Sequence, residues 1–228
     1  MASSAALAPV FEHIEANRPA FLDRLIDYLR HPSISAENIG IAEVGNLLLR
    51  MLGDIGLEAS LIPTEGHPMV IGRWEKAPGK PTVLLYGHYD VQPADPLDKW
   101  LSPPFEPTIR DGRLYARGVG DNKGQHFAQI LAIESHLKVH GELPCNVILL
   151  LEGEEEIGSP RIAGFVRAHS HLLKARAMPA VRRPSSSARA ASSPSICAAA
   201  TRAETSTPAT SAASCRTRSG RWSICWRR

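Results

Sequence analysis

Residues 175–228 contain no Leu, Phe, Tyr, Asp, Asn, Gln or Lys. They hold instead 13 Ala, 11 Ser and ten Arg, against a single acid, Glu204. A stretch without Leu, Phe or Tyr has little to bury and cannot offset the entropy of ordering itself. It is therefore expected to form a low-complexity, disordered tail behind a folded body at residues 1–174. The net charge of +3 averages two unlike parts, +9 in the last 54 residues and −6 in the 174 before them. The basic balance thus says nothing about the partners of the body. An Arg-rich tail that grips nucleic acid electrostatically is the rival account, but Lys and the Gly and aromatic interleaving of such tails are missing. No nucleic-acid partner is expected.

Cysteine is scarce too. Three of the four (Cys197, Cys215, Cys225) lie in the tail without C-x-x-C spacing, which excludes a disulfide framework or a zinc finger. Cys145 stands alone beside an apolar run and reads as a small buried residue. No apolar run reaches membrane-spanning length. The first residues, MASSAALAPVFEHIEANRPAF, show neither a basic leader nor a long apolar segment. A soluble, cytoplasmic protein without a membrane partner is the expectation.

What is present is an alternation of periods. Phe11, Ile14, Phe21, Leu25, Ile26 and Leu29 recur at helical spacing over residues 8–30, and His31-Pro32 ends that helix. Val44, Leu47, Leu48, Met51 and Leu52 mark a second helix over 42–55, with Gly56 as its C-terminal cap. Strands are expected at 57–62, 69–74, 82–86, 114–116 and 147–151, and helices at 125–139 and from Ser159 or Pro160 to about 173. Residues 82–86 and 147–151 are apolar on both faces, as in strands buried within a sheet. The class is α/β with a mixed, largely parallel sheet. In such sheets functional residues gather at the carboxyl ends of the strands.

Three polar constellations occupy those ends. Gly87-His88-Tyr89-Asp90 follows the first buried strand; residues i and i+2 face the same way, so Asp90 can orient His88 as a metal ligand. A polar strand end with a capping aspartate is the plainer account. Arg117 to Gly124 sets Asp121 between glycines ahead of a helix, where it could simply be the N-cap; the spacing fits no phosphate-loop pattern. Glu152-Gly153-Glu154-Glu155-Glu156 follows the second buried strand, and four carboxylates there repel one another unless a cation compensates them or they turn to water. Taken together, a histidine, an aspartate and a glutamate form the hard donor set of Zn²⁺ or Mn²⁺. A further carboxylate beside them is what metal-assisted hydrolysis needs as general base.

The segments LLYGHYDVQP, ARGVGDNKGQ and LEGEEEIGS resemble, in order and spacing, the three N-terminal signatures of the M20 metallopeptidases, over roughly residues 10–173. HYDVQP, the run Trp100 to Pro107 and DGRLYARG look most like the carnosinase-like dipeptidase branch. The resemblance implies an M20-type, zinc-peptidase-like catalytic domain. It makes His88 a ligand to one metal, Asp121 the bridge between two, Glu156 a ligand to the second, Glu155 the general base, and Asp90 the residue that orients His88. Lys123 and Glu154 receive no role. It implies two divalent ions, Zn²⁺ ahead of Mn²⁺ or Co²⁺, and an activated water that cleaves the amide bond of a dipeptide or small peptide. An N-acyl-amino-acid deacylase of the acetylornithine deacetylase or succinyl-diaminopimelate desuccinylase kind is the alternative within enzymes, and an inactive remnant the alternative outside them. It also implies a cis peptide after the bridging aspartate, at Asp121–Asn122.

The sequence departs from that pattern beyond the Glu pair. The family's further acidic ligand and late histidine have no recognisable counterpart, since no Asp follows residue 154 and the last histidine is His171. Its lid domain, through which full-length relatives dimerise, is not recognisable either. With GC-rich codons, TPATSAASCRTR (Thr207 to Arg218) regroups one base earlier into HSGHFGGVVPNP, which resembles the start of that lid. The tail from about Ala175 is therefore expected to be an out-of-frame translation, the domain truncated, and the chain as written inactive and poorly folded.

Overall fold

The computed structural model describes residues 4–175, and the tail beyond lies outside the described residues. Helices α1 (Ser4–Ala16), α2 (Arg18–Arg30) and α3 (Ile41–Asp54) lead into strands β1 (Glu58–Ile62), β2 (Met69–Trp74) and β3 (Thr82–His88). A small hairpin of β4 (Thr108–Arg110) and β5 (Arg113–Tyr115) follows, then α4 (Lys123–His140), β6 (Asn146–Glu152) and α5 (Ile162–Ala168).

The expected helix over 8–30 is two helices. Asn17 interrupts it, folding its side-chain amide back to the His13 carbonyl at 2.8 Å, and Pro19 sits in the first turn of α2, where a missing N–H costs nothing. Phe11, on the expected apolar face, is exposed, whereas Phe21 and Leu29 are buried. Helix α3 ends as its sequence indicates: Gly56 has φ +88°, and the Leu57 N–H returns to the Leu52 carbonyl. The expected final helix is shorter than its apolar pattern, with turns replacing its second half.

The four-stranded sheet has the order β1-β2-β6-β3. It is mixed, as expected, and its parallel component among the described residues is the β3–β6 pair. Strands β1 and β2 are antiparallel because six residues join them, enough for a hairpin but too few for a crossover. Strand β3 occupies an edge among the described strands, so residues 82–86 are half-buried and not enclosed as their two-sided apolarity indicated.

Period-two alternation distributes side chains between the two faces. Val147, Leu149 and Leu151 of β6 join Val44, Leu48 and Leu52 of α3 and Phe127 and Ile130 of α4 in the larger core. Ile148 and Leu150 point the other way, toward Phe165 of α5. Each fully buried Leu or Ile contributes about 1.5–3 kcal/mol through removal from water. Arg24 of α2 ties that helix to α4, its guanidinium donating to both carboxylate oxygens of Glu134 at 2.8 and 3.0 Å. In register, His88 lies opposite Glu152 and Tyr86 opposite Leu150. Both motif-bearing strands therefore terminate side by side, at one end of the sheet.

Candidate metal centre

Strand β3 runs two residues further than its apolar stretch, and His88 is its last residue. The imidazole is buried, with Nδ1 3.2 Å from the Asp90 carbonyl and 3.4 Å from Asp90 Oδ1. Those acceptors favour a proton on Nδ1 and direct Nε2 the other way. There it meets Asp121 Oδ1 at 3.1 Å and Glu155 Oε2 at 3.8 Å. One coordinating atom each from His88, Glu155 and Glu156 lies within 4.8 Å of the others.

Asp90 has no exposed surface. Its Oδ2 accepts from the Ser35 hydroxyl at 2.7 Å and the Glu156 N–H at 3.0 Å, and its Oδ1 accepts from the Glu155 N–H at 3.2 Å. One carboxylate therefore orients the histidine and anchors the backbone of the turn that bears Glu155 and Glu156. Burial raises its pKa, but hydrogen bonds from His88, Ser35 and Glu156 outweigh that and hold it below the usual carboxylate range. Burial pulls His88 down, yet the hydrogen bonds to Asp121 and Asp90 and the charges of Asp90 and Glu155 together lift it to about 10. Glu156 is raised by burial, then by the charges of Asp121 and Glu155, against the lowering hydrogen bond from Gln92. The Gln92 amide fixes Glu156 by donating to its carbonyl and its Oε2, both at 2.9 Å.

Asp121 precedes α4 across a cis peptide to Asn122, as the resemblance implied. The N-cap position itself falls to Asn122, whose side chain makes no capping bond. The plainer account of Asp121 as the cap is thereby set aside, and its carboxylate is free to face His88.

The other two glutamates of the acidic run turn away from this cluster. Glu154 is buried; its Oε1 accepts from the His67 N–H at 3.1 Å and from Arg161 at 3.0 Å, fastening the β1–β2 loop. Glu152 is buried against the hydroxyls of Tyr86 and Ser159. Burial raises its pKa, against the lowering hydrogen bonds from Tyr86 and Ser159, and its Oε2 has no hydrogen-bond partner.

Sequence reasoning named His88, Asp90, Asp121, Glu155 and Glu156, of which His88 approaches Asp90, Asp121 and Glu155 and shares a possible ligand group with Glu155 and Glu156. It missed Ser35, which lies 55 positions before Asp90 in a segment without motif, and Gln92, whose position inside HYDVQP was its signal. The donor set, the His88 imidazole grouped with the carboxylates of Glu155 and Glu156 and with Asp121 Oδ1 3.1 Å from its Nε2, fits a divalent cation: it supplies hard oxygen and nitrogen ligands, and repulsion among its carboxylates is what such an ion relieves.

Residues 84–203 match the model of peptidase family M20/M25/M40. The chain belongs to this family. It is 36% identical over 171 residues to a Cys-Gly metallodipeptidase of Candida albicans, covering 67% of this chain and 35% of that one. Among solved structures, an M20 metallo-carboxypeptidase of Sulfolobus solfataricus is 44% identical with a TM-score of 0.65, covering 68% of this chain and 35% of its own. Human carnosine dipeptidase 1 is 29% identical with a TM-score of 0.67, covering 72% and 38%. The chain therefore spans little more than a third of the length of these M20 relatives. Among the described residues no helix is long and apolar enough to cross a membrane.

Proposed function

We propose that this M20 sequence encodes the catalytic core of a dipeptidase, in which His88, Asp121 and Glu156 hold two divalent ions and Glu155 is the general base. One observation carries the reading: the parallel strands β3 and β6 end side by side, so that Nε2 of His88 faces Asp121 and Glu155 across less than 4 Å. Bound divalent ions lower the pKa of water and polarise a carbonyl. Glu155, whose side chain is more exposed than that of His88, is placed to take the proton of the attacking water and return it to the leaving amine. Asp90 keeps His88 in the tautomer that presents Nε2, and Gln92 keeps Glu156 from rotating out.

A dipeptide substrate is favoured over an N-acyl amino acid because the metallodipeptidase and carnosine dipeptidase above match 67% and 72% of this chain. The chain as written carries three of the five expected ligand positions. We propose that it binds metal weakly and turns over slowly at best, and that its residues from about 175 are out of frame. The test is Zn²⁺ titration by calorimetry, paired with hydrolysis of Cys-Gly and of an N-succinyl amino acid. Metal binding with preference for the dipeptide supports the reading. A preference for the N-acyl substrate moves it to the deacylases, and absence of any Zn²⁺ uptake removes the metal reading.

A further inference from the structure

Behind the metal cluster, on the opposite face of β3, lies a chain of buried polar groups that the reading above leaves unused. Tyr28 of α2 and His126 of α4 are almost wholly enclosed, with Phe127 and Ile130 of the larger core and the buried Lys123 ammonium 4.9 Å above the Tyr28 ring. The Tyr28 hydroxyl lies 2.9 Å from His126 Nε2, and His126 Nδ1 lies 3.3 Å from Asn122 Oδ1. That same Asn122 oxygen accepts from the backbone N–H of His88 at 3.2 Å. The chain therefore runs from α2 through α4 to the residue after Asp121, and ends on the main chain of His88.

The chemistry of the partners orients every bond. Asn122 Oδ1 is only an acceptor, so Nδ1 of His126 must donate; Nε2 then has a lone pair and must accept from Tyr28. A neutral imidazole in one tautomer satisfies both, and none of the three groups is left orphaned. The packing around it leaves no slack. A Cβ on Gly87 would lie 2.8 Å from Asn122 Oδ1 and 2.9 Å from the His126 Cβ, so only glycine lets the strand end and the helix start approach this closely.

We propose that His126 is a positioning residue for the metal centre: through its Nδ1–H it holds Asn122, which fixes the Asp121 loop and the end of β3 relative to each other. This rests on the reading of His88 and Asp121 as ligands. The two ring nitrogens do different jobs, which makes the idea separable from general core packing. Nδ1 serves the site, and Nε2 serves only the link to Tyr28.

The experiment uses the intact chain and two substitutions. His126→Asn keeps an amide donor near the Nδ1 position; His126→Gln keeps a polar end near the Nε2 position and loses the donor to Asn122. The readouts are backbone amide exchange at His88 without metal, Zn²⁺ affinity by calorimetry, and thermal midpoint. His126→Gln is expected to speed His88 exchange and weaken Zn²⁺ binding by about tenfold each, the scale of a lost outer-shell partner. His126→Asn should stay within about threefold on both counts, although it loses the Tyr28 bond and has the lower midpoint. Equal behaviour of the two variants at His88, or losses that follow the midpoints, overturns the proposal. If the unsubstituted chain takes up no Zn²⁺ yet His88 exchange splits the variants as stated, the positioning role stands and the metal reading falls.

Discussion

At the level of single residues, the cluster poses a question of roles, because Glu155 lies as near to His88 and Glu156 as a ligand would. If it is the base and not a ligand, Glu155→Gln leaves Zn²⁺ affinity within about threefold while removing a general base, a step worth roughly 10²–10⁴-fold in turnover. His88→Ala and Glu156→Gln are instead expected to weaken Zn²⁺ by more than the roughly 10–100-fold typical of an outer-shell loss. Calorimetry on the three variants decides the matter; a large loss of affinity in Glu155→Gln would sink the assignment. The pH dependence of uptake has a definite sign. His88, raised to about 10 in the metal-free protein, is protonated at neutral pH, and Nε2 must lose that proton to ligate. Zn²⁺ affinity should therefore rise with pH between about 7 and 10, with about one proton released per imidazole ligand. Titrations in two buffers of different ionisation heat measure that proton directly.

The elements supply the acid sensitivity of the fold. Burial, reinforced by the charges of His88 and Lys123, holds His126 at about 3. Between 6.5 and 3 the unfolded chain binds a proton at this position and the folded chain does not, so stability falls as pH falls, by up to about 1.4 kcal/mol per unit. His88 contributes little slope well below 6.5, where it is protonated in both states. Urea unfolding at several pH values should show that slope, and His126→Gln should flatten it; an unchanged slope in the variant assigns the effect elsewhere. Packing makes a second prediction at this scale. Leu149 of β6 is fully enclosed between α3 and α4, and Leu149→Ala should cost about 2–5 kcal/mol of stability, as truncations in well-packed cores do. Chemical denaturation tests it, and a cost below about 1 kcal/mol would mean that this core collapses around the gap.

For the whole molecule, the decisive prediction concerns the gene. Residues beyond 175 lie outside the described structure, and they contain no Leu, Phe or Tyr although the family match runs on to residue 203. Sequencing the DNA from codon 165 onward and translating the other two frames should yield a downstream acidic ligand, an RDLHSG-like segment and a late histidine. Such a frame would place the natural activity with the repaired product. If all frames lack those features, the Arg-rich tail is genuine, and the M20 core has a different continuation from its relatives.

Much of this protein was legible in local chemistry. The strand bounds of β2 and the cap of α3 at Gly56 follow from period and turn residues, because each is set by neighbours a few positions away, and the order of three motifs named His88, Asp121, Glu155 and Glu156 as candidates. The break at Asn17 was visible only as a proline two residues on, and a long apolar period masked it. Which strand lies at an edge, and which carboxylate of the acidic run faces the cluster, were decided by tertiary structure. Glu152, Glu154, Glu155 and Glu156 are the same side chain in sequence. They differ because Tyr86, Arg161, His88 and Gln92, brought in from other elements, supply each with a different partner. Ser35 and the Tyr28–His126–Asn122 chain belong to the same class: buried polar groups need partners, and partners across 55 or 98 positions exist only once the chain has folded.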